Sequence, residues 1–369
     1  MKEKKNILIC PLEWGLGHAA RMIPLAEKLR GLNYNIIFGA GEKHLAFLRR
    51  ELPDLTYINF PGFRPVYSRF LPQYIVLLLE IPVLIYHIIS EHLRLKKIIT
   101  EHAIDIVISD NRFGLWNKKI KTVYITHQPL IPFPRFLSFL EFTGVYIHRR
   151  VIRKFTFCFI PDLPGDLNLT GRLSHGVKLP RNARFTGILS RFCGLPAAND
   201  SPSPKPGNIT VILSGPEPQR SILEKKLTGI LKKKDQSAVI LGGRPDRQTG
   251  VINTGNIIRY DHLQRQAMKD LISGSGTIIS RAGYTTIMEL VSLGRSALLI
   301  PTPGQTEQEY LARYLTAKGW FSSIPQKKLN ESLPFIPEKS EWNNEIMVQS
   351  RILLDKALRE LSEKPEAEA

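Results

Sequence analysis

The sequence predicts an α/β protein of two Rossmann-like domains, each built on a parallel sheet that helices cover on both faces. Short β-branched runs alternate with helical stretches along the chain, a proline-rich segment interrupts the alternation at 194–207, and the alternation then resumes. We therefore predict domains at 1–193 and 208–340, a linker at 194–207, and a helical tail within 341–369.

Seven apolar runs define the first predicted domain. The first is followed by a glycine-containing loop and then by a helix at Ala19–Leu29, which Gly31 ends. The runs predict buried strands because they are short and rich in Val, Ile, Phe and Tyr. They lie at Lys5–Cys10, Tyr34–Phe38, Thr56–Phe60, Ile104–Ser109, Thr122–Thr126, Phe155–Ile160 and Arg184–Gly187.

The second domain is predicted from the same alternation. Helices are expected at Arg220–Leu231 and Tyr284–Leu293, and a tail helix at Glu341–Leu361. Strands are expected at Ile209–Leu213, Ala238–Leu241, Thr277–Ser280 and Ser296–Ile300.

Composition and charge limit the function classes. The 369 residues carry a formal charge of +18, and residues 1–190 hold 27 Lys plus Arg against 14 Asp plus Glu. Such a surface attracts nucleic acid, anionic lipid or phosphorylated substrates. Three distant cysteines argue against a disulfide or zinc framework, and the apolar run after Lys5 is too short for a signal peptide. We expect a cytoplasmic protein.

The segment from Thr277 to Gln308 carries the strongest functional signal. A strand is followed by the turn Ser280–Gly283, which has almost no side chains at Ala282 and Gly283, and then by a helix. A helix N-terminus at the carboxyl edge of a parallel sheet suits a phosphate. Thr285 and Glu289 are four residues apart and share a helix face. This pattern suits a nucleotide whose diphosphate lies at the helix N-terminus and whose ribose lies one turn deeper.

This segment resembles the C-terminal half of glycosyltransferase family 28. The resemblance rests on Ser280–Gly283, Glu289 and the loop Pro301–Gln308. It implies the GT-B fold, with a UDP-sugar donor in the second domain, an acceptor in the first, and a terminal helix packing back on the first domain. It also implies that Glu289 binds the ribose and Gln308 the donor sugar. Where the family often has a second Gln, this chain has Glu309.

The resemblance extends the donor site to other strand ends. Ser214 and Gly215 correspond to the family's phosphate-contacting loop, and Tyr260 lies where the backbone receives the uracil. Two arginines are phosphate candidates: Arg244, which is otherwise a solvated loop cation, and Arg281, whose structural alternative is an ion pair with Glu289. Gln305 follows a strand end and can face the cleft.

The loop after the first strand supplies the candidate base. Gly17 permits close approach of a ligand, and His18 opens the next helix; alone, the pattern equally suits a turn with a capping histidine. Family 28 has a glycine-rich loop ending in His here, which favours His18 as general base. Glu13 and Trp14 occupy part of that loop and are candidate acceptor contacts.

Two further strand ends of the first domain should face the cleft. Asp110 and Asn111 follow one apolar strand, and His127 follows the next. Asp110 is a second candidate base, and Asn111 and His127 are candidate acceptor contacts. Each is equally well explained as a loop cap.

Apolar segments accompany a cluster of cations in the first domain. The segments are Phe70–Ile89 and Phe133–Phe142, and Arg149, Arg150, Arg153 and Lys154 follow. Two interpretations fit these segments. They form a protein surface that binds the anionic inner face of the plasma membrane, or they are core helices whose ends are exposed to solvent. A glutamate and central prolines argue against a membrane-spanning helix.

The sequence therefore predicts a metal-independent, inverting glycosyltransferase with a glycan or lipid-linked acceptor. No Asp-x-Asp pair occurs, so we expect no metal; we also expect no cofactor and no nucleic-acid partner. Two alternatives stay open: a UDP-sugar 2-epimerase of the same fold, and a non-catalytic subunit that binds the donor or recruits a partner to the membrane. A dehydrogenase is disfavoured because neither glycine loop reads Gly-x-Gly-x-x-Gly.

Overall fold

A computed structural model describes residues 4–66, 73–133, 135–196, 208–244, 250–330 and 342–363. These ranges contain two seven-stranded sheets. The first sheet uses β1 (Asn6–Cys10), β2 (Asn35–Ala40), β3 (Thr56–Asn59), β4 (Ile104–Asp110), β5 (Lys121–Ile125), β6 (Phe157–Ile160) and β7 (Ala183–Phe185). The helices beside it are α1 (Leu16–Gly31), α2 (Glu42–Glu51), α3 (Gln73–Leu79), α4 (Ile81–Glu101), α5 (Glu141–Ile152) and α6 (Arg172–His175), with a 3-10 turn at Arg135–Leu140.

The second sheet follows in the chain. Its strands are β8 (Ile209–Ile212), β9 (Ala238–Leu241), β10 (Val251–Thr254), β11 (Ile257–Tyr260), β12 (Thr277–Ser280), β13 (Leu298–Leu299) and β14 (Ser322–Ser323). Its helices are α7 (Gln219–Leu231), α8 (Arg265–Ser273), α9 (Tyr284–Ser292) and α10 (Thr306–Ala317), with a 3-10 turn at Gln326–Lys328; α11 (Trp342–Ser362) ends the described chain.

Apart from the edge strand β10, the two sheets follow the same strand order. The first runs β3-β2-β1-β4-β5-β6-β7 and the second β10-β11-β9-β8-β12-β13-β14. In the first sheet, successive strands are added on one side of β1 up to β3, and the chain then crosses to the other side with β4. In the second sheet, the corresponding crossing lies between β8 and β12. In open α/β sheets, ligands bind outside the carboxyl ends of the strands at such a crossing. Each domain therefore has one preferred position for a site. The prediction of two Rossmann-like parallel-sheet domains is confirmed.

The second sheet departs from the prediction at its edges. β10 pairs antiparallel with β11, whereas every other neighbouring pair in this sheet is parallel. All four residues of β10 are exposed, which suits an edge strand. The second sheet is therefore parallel except at this edge, where β10 was not predicted from the sequence.

The terminal helix α11 packs on the first domain. Ala357, Leu358 and Leu361 are buried within the core that α1 and the first sheet build around Ile9 and Phe38. Asp355 pairs with Lys28 at 2.7 Å. Residues 197–207 lie outside the described ranges, so the domain boundaries at 193 and 207 stay predictions.

The apolar segment predicted at Phe70–Ile89 forms the short helix α3 and the start of α4; its first three residues lie outside the described ranges. The outer face of α4 is exposed at Ile85, Tyr86 and Ile89, while Leu95 and Ile98 further along are buried. Within the described ranges, no helix is long and apolar enough to cross a membrane.

Candidate active site

The loop after β1 brings the first domain against the second. The hydroxyl of Thr285, in the first turn of α9, donates to the carbonyl of Gly17 at 3.1 Å. A Cβ on Gly17 would lie 3.0 Å from that hydroxyl oxygen, so the Thr285 side chain would have to shift by a few tenths of an ångström. The close approach at Gly17 is made here by Thr285, and contact of Gly17 with a ligand stays a prediction.

His18 lies in the first turn of α1, with its imidazole facing the end of β4. Its Nδ1 is 2.9 Å from Oδ2 of Asp110, a carboxylate with no exposed surface. Among the described residues, Nε2 of His18 has no hydrogen-bond partner. Burial and the neighbouring Arg21 lower the pKa of His18, and Asp110 opposes them. The imidazole is therefore neutral at pH 7. Nδ1 also lies 2.9 Å from Nη2 of Arg21, so it carries the proton when it donates to Asp110 and the lone pair when it accepts from Arg21.

Arg21, which the sequence analysis missed, holds the other side of Asp110. Its Nε donates to Oδ2 at 3.0 Å, and its Nη2 donates to Oδ1. Burial would raise the pKa of Asp110, but Arg21 and His18 lower it to about 2. The available signal was spacing: Arg21 is three residues after His18 and so shares its helix face.

His127 connects this group to the second domain. Its Nδ1 lies 3.2 Å from Nη1 of Arg21, and its Nε2 lies 2.8 Å from Oε1 of Glu307 at the start of α10. The imidazole also stacks on the ring of Tyr284 from α9, with centroids 4.2 Å apart. His127 is thus enclosed, and the sequence analysis missed both Glu307 and Tyr284 as its partners.

The strand-end turn before α9 leads into a helix N-terminus without a side-chain cap, and its phosphate-binding role stays a prediction. Gly283 is the N-cap residue, and no side chain caps the helix N-terminus. Ala282 is fully buried, and the buried hydroxyl of Ser280 has no hydrogen-bond partner among the described residues. Unsatisfied N–H groups at this position favour an anion.

Glu289 lies one turn deeper on α9 and is buried. Its Oε1 is 2.8 Å from Nε of Arg191, which belongs to the segment that leaves the first domain. Burial raises the pKa of Glu289, and Arg191 opposes that rise. Its predicted role with a ribose stays a prediction, and in this arrangement the carboxylate faces Arg191.

Arg281 points away from α9 and has no exposed surface. It donates to the side chain of Gln326 at 2.7 Å and to the carbonyl of Gln219 at 2.7 Å. The alternative of an ion pair with Glu289 was wrong, because Arg191 occupies that position. The phosphate role of Arg281 stays a prediction and would require these bonds to be exchanged.

The other donor candidates lie at the carboxyl ends of neighbouring strands. Ser214 is half-buried and Gly215 exposed after β8. Arg244 after β9 is paired with Glu217 at 2.9 Å, and the carbonyl of Tyr260 accepts from Gly242. Arg244 is therefore part of an ion pair and is not the solvated loop cation that the sequence allowed as an alternative.

The loop before α10 is held by its own side chains. Gln305 is the N-cap residue of α10. The side chain of Gln308 accepts from the backbone N–H of Thr302 at 2.9 Å, and that of Glu309 accepts from Gly304 at 3.0 Å. Gln308 is buried with its Oε1 held by Thr302, and its contact with a donor sugar stays a prediction.

Of the acceptor candidates, Glu13 has a full set of partners. Its buried carboxylate accepts from the backbone N–H of Gly41 at 2.6 Å and of Gly62 at 3.0 Å, and from Arg64. It therefore joins three strand-end loops. Its acceptor role stays a prediction, but a protein contact already occupies each oxygen.

Trp14 and Asn111 lie beside this group. The indole ring meets Phe63 edge-on at 6.3 Å between centroids, and its buried N–H has no hydrogen-bond partner in the described part of the chain. Asn111 has a left-handed backbone with φ 52°, and its side-chain oxygen accepts from Tyr124 at 3.2 Å. Asn111 therefore fixes the turn after β4, whereas Trp14 keeps a free donor.

Comparison with known proteins agrees with this geometry. Residues 222–336 match the glycosyltransferase family 28 C-terminal domain. A UDP-N-acetylglucosamine–N-acetylmuramyl-(pentapeptide) pyrophosphoryl-undecaprenol N-acetylglucosamine transferase of Sulfurihydrogenibium is 22% identical over 44% of this chain and 46% of its own. An uncharacterized glycosyltransferase of Methanosarcina acetivorans is 24% identical over 95% of this chain and 96% of its own.

Solved structures extend the likeness to the whole fold. The kitacinnamycin glycotransferase has a TM-score of 0.62 at 12% identity, with 98% of each chain covered. MurG of Acinetobacter baumannii has a TM-score of 0.51 at 14% identity, with 98% of this chain and 96% of its own covered. The chain spans about half the length of the first curated transferase it matches, and about a fifth of several others. The chain has the GT-B fold and resembles the glycosyltransferases of family 28, whose C-terminal domain its residues 222–336 match.

Proposed function

We propose that the chain is a glycosyltransferase that moves a sugar from a nucleotide donor, a UDP-sugar, to an acceptor hydroxyl with inversion. One observation carries the proposal: Gly17, the residue before His18, accepts from Thr285 in the first turn of α9, so the His18–Asp110 pair lies beside the uncapped N-terminus of that helix. A base and an anion-binding helix end are the two groups that displacement of a diphosphate needs. The relatives whose names specify UDP-N-acetylglucosamine support the choice of UDP.

The geometry divides the chemistry between the domains. In the tautomer whose Nδ1–H donates to Asp110, Nε2 of His18 carries the lone pair and takes the acceptor proton. The acceptor oxygen then bonds to the anomeric carbon from the face opposite the diphosphate, which leaves with the electron pair of the broken bond. The N–H groups at the start of α9 receive its charge. Asp110 is fully buried, so its role in this scheme is to hold His18 rather than to touch the acceptor.

A release screen tests the proposal. UDP-sugars and dTDP-sugars should be offered singly with candidate acceptors, since solved structures of similar fold were obtained with thymidine diphosphate. We expect acceptor-dependent release of UDP that survives excess EDTA. Release without acceptor, together with an isomerised sugar, would indicate the epimerase instead. Binding without turnover across the panel would favour the non-catalytic subunit.

Replacing Glu289 by Ala tests the donor half of the site. If its carboxylate binds ribose hydroxyls, removal should weaken UDP binding by about 1–3 kcal/mol, the range for a charged hydrogen bond. Titration calorimetry with UDP measures this, and Glu289→Gln separates loss of charge from loss of the side chain. Circular dichroism must first show that both variants are folded, because Arg191 loses its partner. Unchanged affinity in a folded variant would remove Glu289 from the donor site.

We further propose that the acceptor is a lipid-linked glycan reached at an anionic membrane surface. α4 and α5 expose apolar side chains, including Tyr86 at 68% and Phe142 at 81%. Trp116 connects the two helices: it stacks on His92 of α4 at 4.2 Å and lies under Lys154 just after α5. Apolar rings beside cations suit a lipid interface.

Liposome sedimentation tests this surface. The protein should bind vesicles that contain anionic phospholipid better than neutral ones, and added salt should weaken binding. Phe142→Ser and Ile85→Ser should each reduce it. Val348→Ser, which removes a similarly exposed side chain from α11, should not. Equal binding to neutral vesicles, or equal loss with all three variants, would argue against the assignment.

A further inference from the structure

The start of α10 contributes a charge to the first domain. Glu307, the second residue of α10, contacts His127 at 2.8 Å, and the neighbouring Thr306 donates to the carbonyl of Pro132 at 2.7 Å. Both bonds cross from the second domain to the segment after β5. Glu307 is therefore held in position by the closed arrangement of the two domains and not by its own helix alone.

Hydrogen-bond chemistry fixes the direction of the two bonds that His127 makes. A guanidinium only donates, so Nδ1 of His127 must accept from Nη1 of Arg21. The proton of neutral His127 is then on Nε2, where it donates to Glu307. A continuous chain results, from Glu307 through His127 and Arg21 to Asp110 and His18.

The charges along the chain favour proton uptake by His18. Asp110 and Glu307 are anionic and Arg21 is cationic, so the group carries one negative charge while both histidines are neutral. Protonation of His18 brings it to zero. Burial would raise the pKa of Glu307, but His127, His18 and Arg21 lower it, so the carboxylate is ionised.

We propose that Glu307 is a positioning residue, carried by the donor-binding domain, that strengthens His18 as a base when the domains are closed. The proposal rests on the proposed function, in which His18 removes the acceptor proton. It adds that contact between the two domains activates the base, because the second domain brings Glu307 into the first domain's hydrogen-bond chain.

The charged and titratable groups around His18 come from four elements and one loop. Arg21 lies on α1, Asp110 on β4, His127 after β5, His44 on α2 and Glu307 on α10. Glu307→Gln removes one charge and keeps an oxygen that accepts from His127. The other four groups are unchanged, so the variant isolates the contribution of the second domain.

An NMR titration of the histidine-labelled full-length protein tests the proposal without substrate. The His18 resonance is assigned by its loss in His18→Gln. Glu307→Gln should lower the pKa of His18, because an anion that favours the imidazolium is removed. The matched control is Glu27→Gln: Glu27 on α1 also pairs across the domains, with Arg265 at 2.9 Å, but lies outside this chain of bonds. It should leave the pKa of His18 unchanged.

Kinetics supplies the second readout. Glu307→Gln should lower kcat by roughly 3- to 30-fold, the range of coupling energies carried by such networks. The acidic limb of the kcat profile should move to lower pH. An unchanged pKa of His18, or an equal shift in Glu27→Gln, would overturn the proposal. Absence of transfer by the wild-type protein with every donor would refute the proposed function, while the titration still decides whether Glu307 acts on His18.

Discussion

His18→Ala is expected to lower turnover by roughly 10²- to 10⁴-fold, the usual contribution of a general base. The reason is geometric: Nδ1 of His18 faces Asp110 at 2.9 Å, and Nε2 has no partner among the described residues. UDP affinity should change little, because the donor is assigned mainly to the second domain. The pH profile should also lose its acidic limb, which burial and Arg21 place below the ordinary pKa of histidine.

Two companion variants distinguish the roles in this group. Asp110→Ala should also lower turnover, because the imidazole loses the acceptor that fixes its tautomer. Near-full turnover in His18→Ala with loss in Asp110→Ala would transfer the role of base to Asp110. Activity in both variants would place the base elsewhere, and His127 would be next to test.

Arg21→Met is expected to lower the free energy of unfolding by about 3–5 kcal/mol near pH 7, the cost of leaving one member of a buried ion pair without its partner. Arg21 is 1% exposed and Asp110 is fully buried. Both oxygens of Asp110 accept from Arg21, so the carboxylate has no solvent to replace the lost donors. Urea unfolding followed by circular dichroism measures the loss.

The pH dependence of that loss has a defined sign. The folded pKa of Asp110 is depressed from 3.8 to about 2, so its ionised form contributes stability that is present above pH 3.8 and is lost as pH falls towards 2. Without Arg21 the pKa of Asp110 is no longer lowered to about 2. The difference in the free energy of unfolding between wild type and Arg21→Met should therefore shrink as the pH falls from 3.8 towards 2. Lys28→Met is the control on the same helix, because its pair with Asp355 is about 40% exposed on both sides and surface pairs contribute less than about 1 kcal/mol. Equal losses in both variants would contradict the assignment of a buried pair.

Much of the fold followed from the apolar pattern, because buried parallel strands are continuous apolar runs that end abruptly in polar loops. Cys10, Asp110 and Ile125 mark three such ends in the first sheet, and the structure places them at one edge. The pattern failed where strands are not buried: β10 is wholly exposed, and β14 is only two residues long. Such strands are specified by pairing with a neighbour and not by their own composition.

The candidate site was predictable only in part for a similar reason. Sequence places Asp110 and His127 at strand ends and His18 at the start of the helix after the first strand, and the structure brings all three together. Arg21 and Glu307 were missed because their importance comes from contacts between distant elements. Glu307 looked like an ordinary favourable residue in the first turn of a helix.

Charge pairing was the least predictable feature. Arg281 was a candidate partner of Glu289, but the partner is Arg191, 98 positions away in the chain. Arg281 instead donates to Gln219 and Gln326. A sequence pattern gives the charge of each side chain, but the choice of partner depends on how the segment between the domains runs through the interface.

The central claim is that the chain transfers a sugar with His18 as the base. Its most direct test is acceptor-dependent release of UDP, measured for the wild-type protein and His18→Ala at equal UDP saturation. The account predicts release by the wild type, at least a hundredfold slower release by the variant, and similar UDP affinity in both. Equal release rates in wild type and variant, with both folded and bound to UDP, would contradict it.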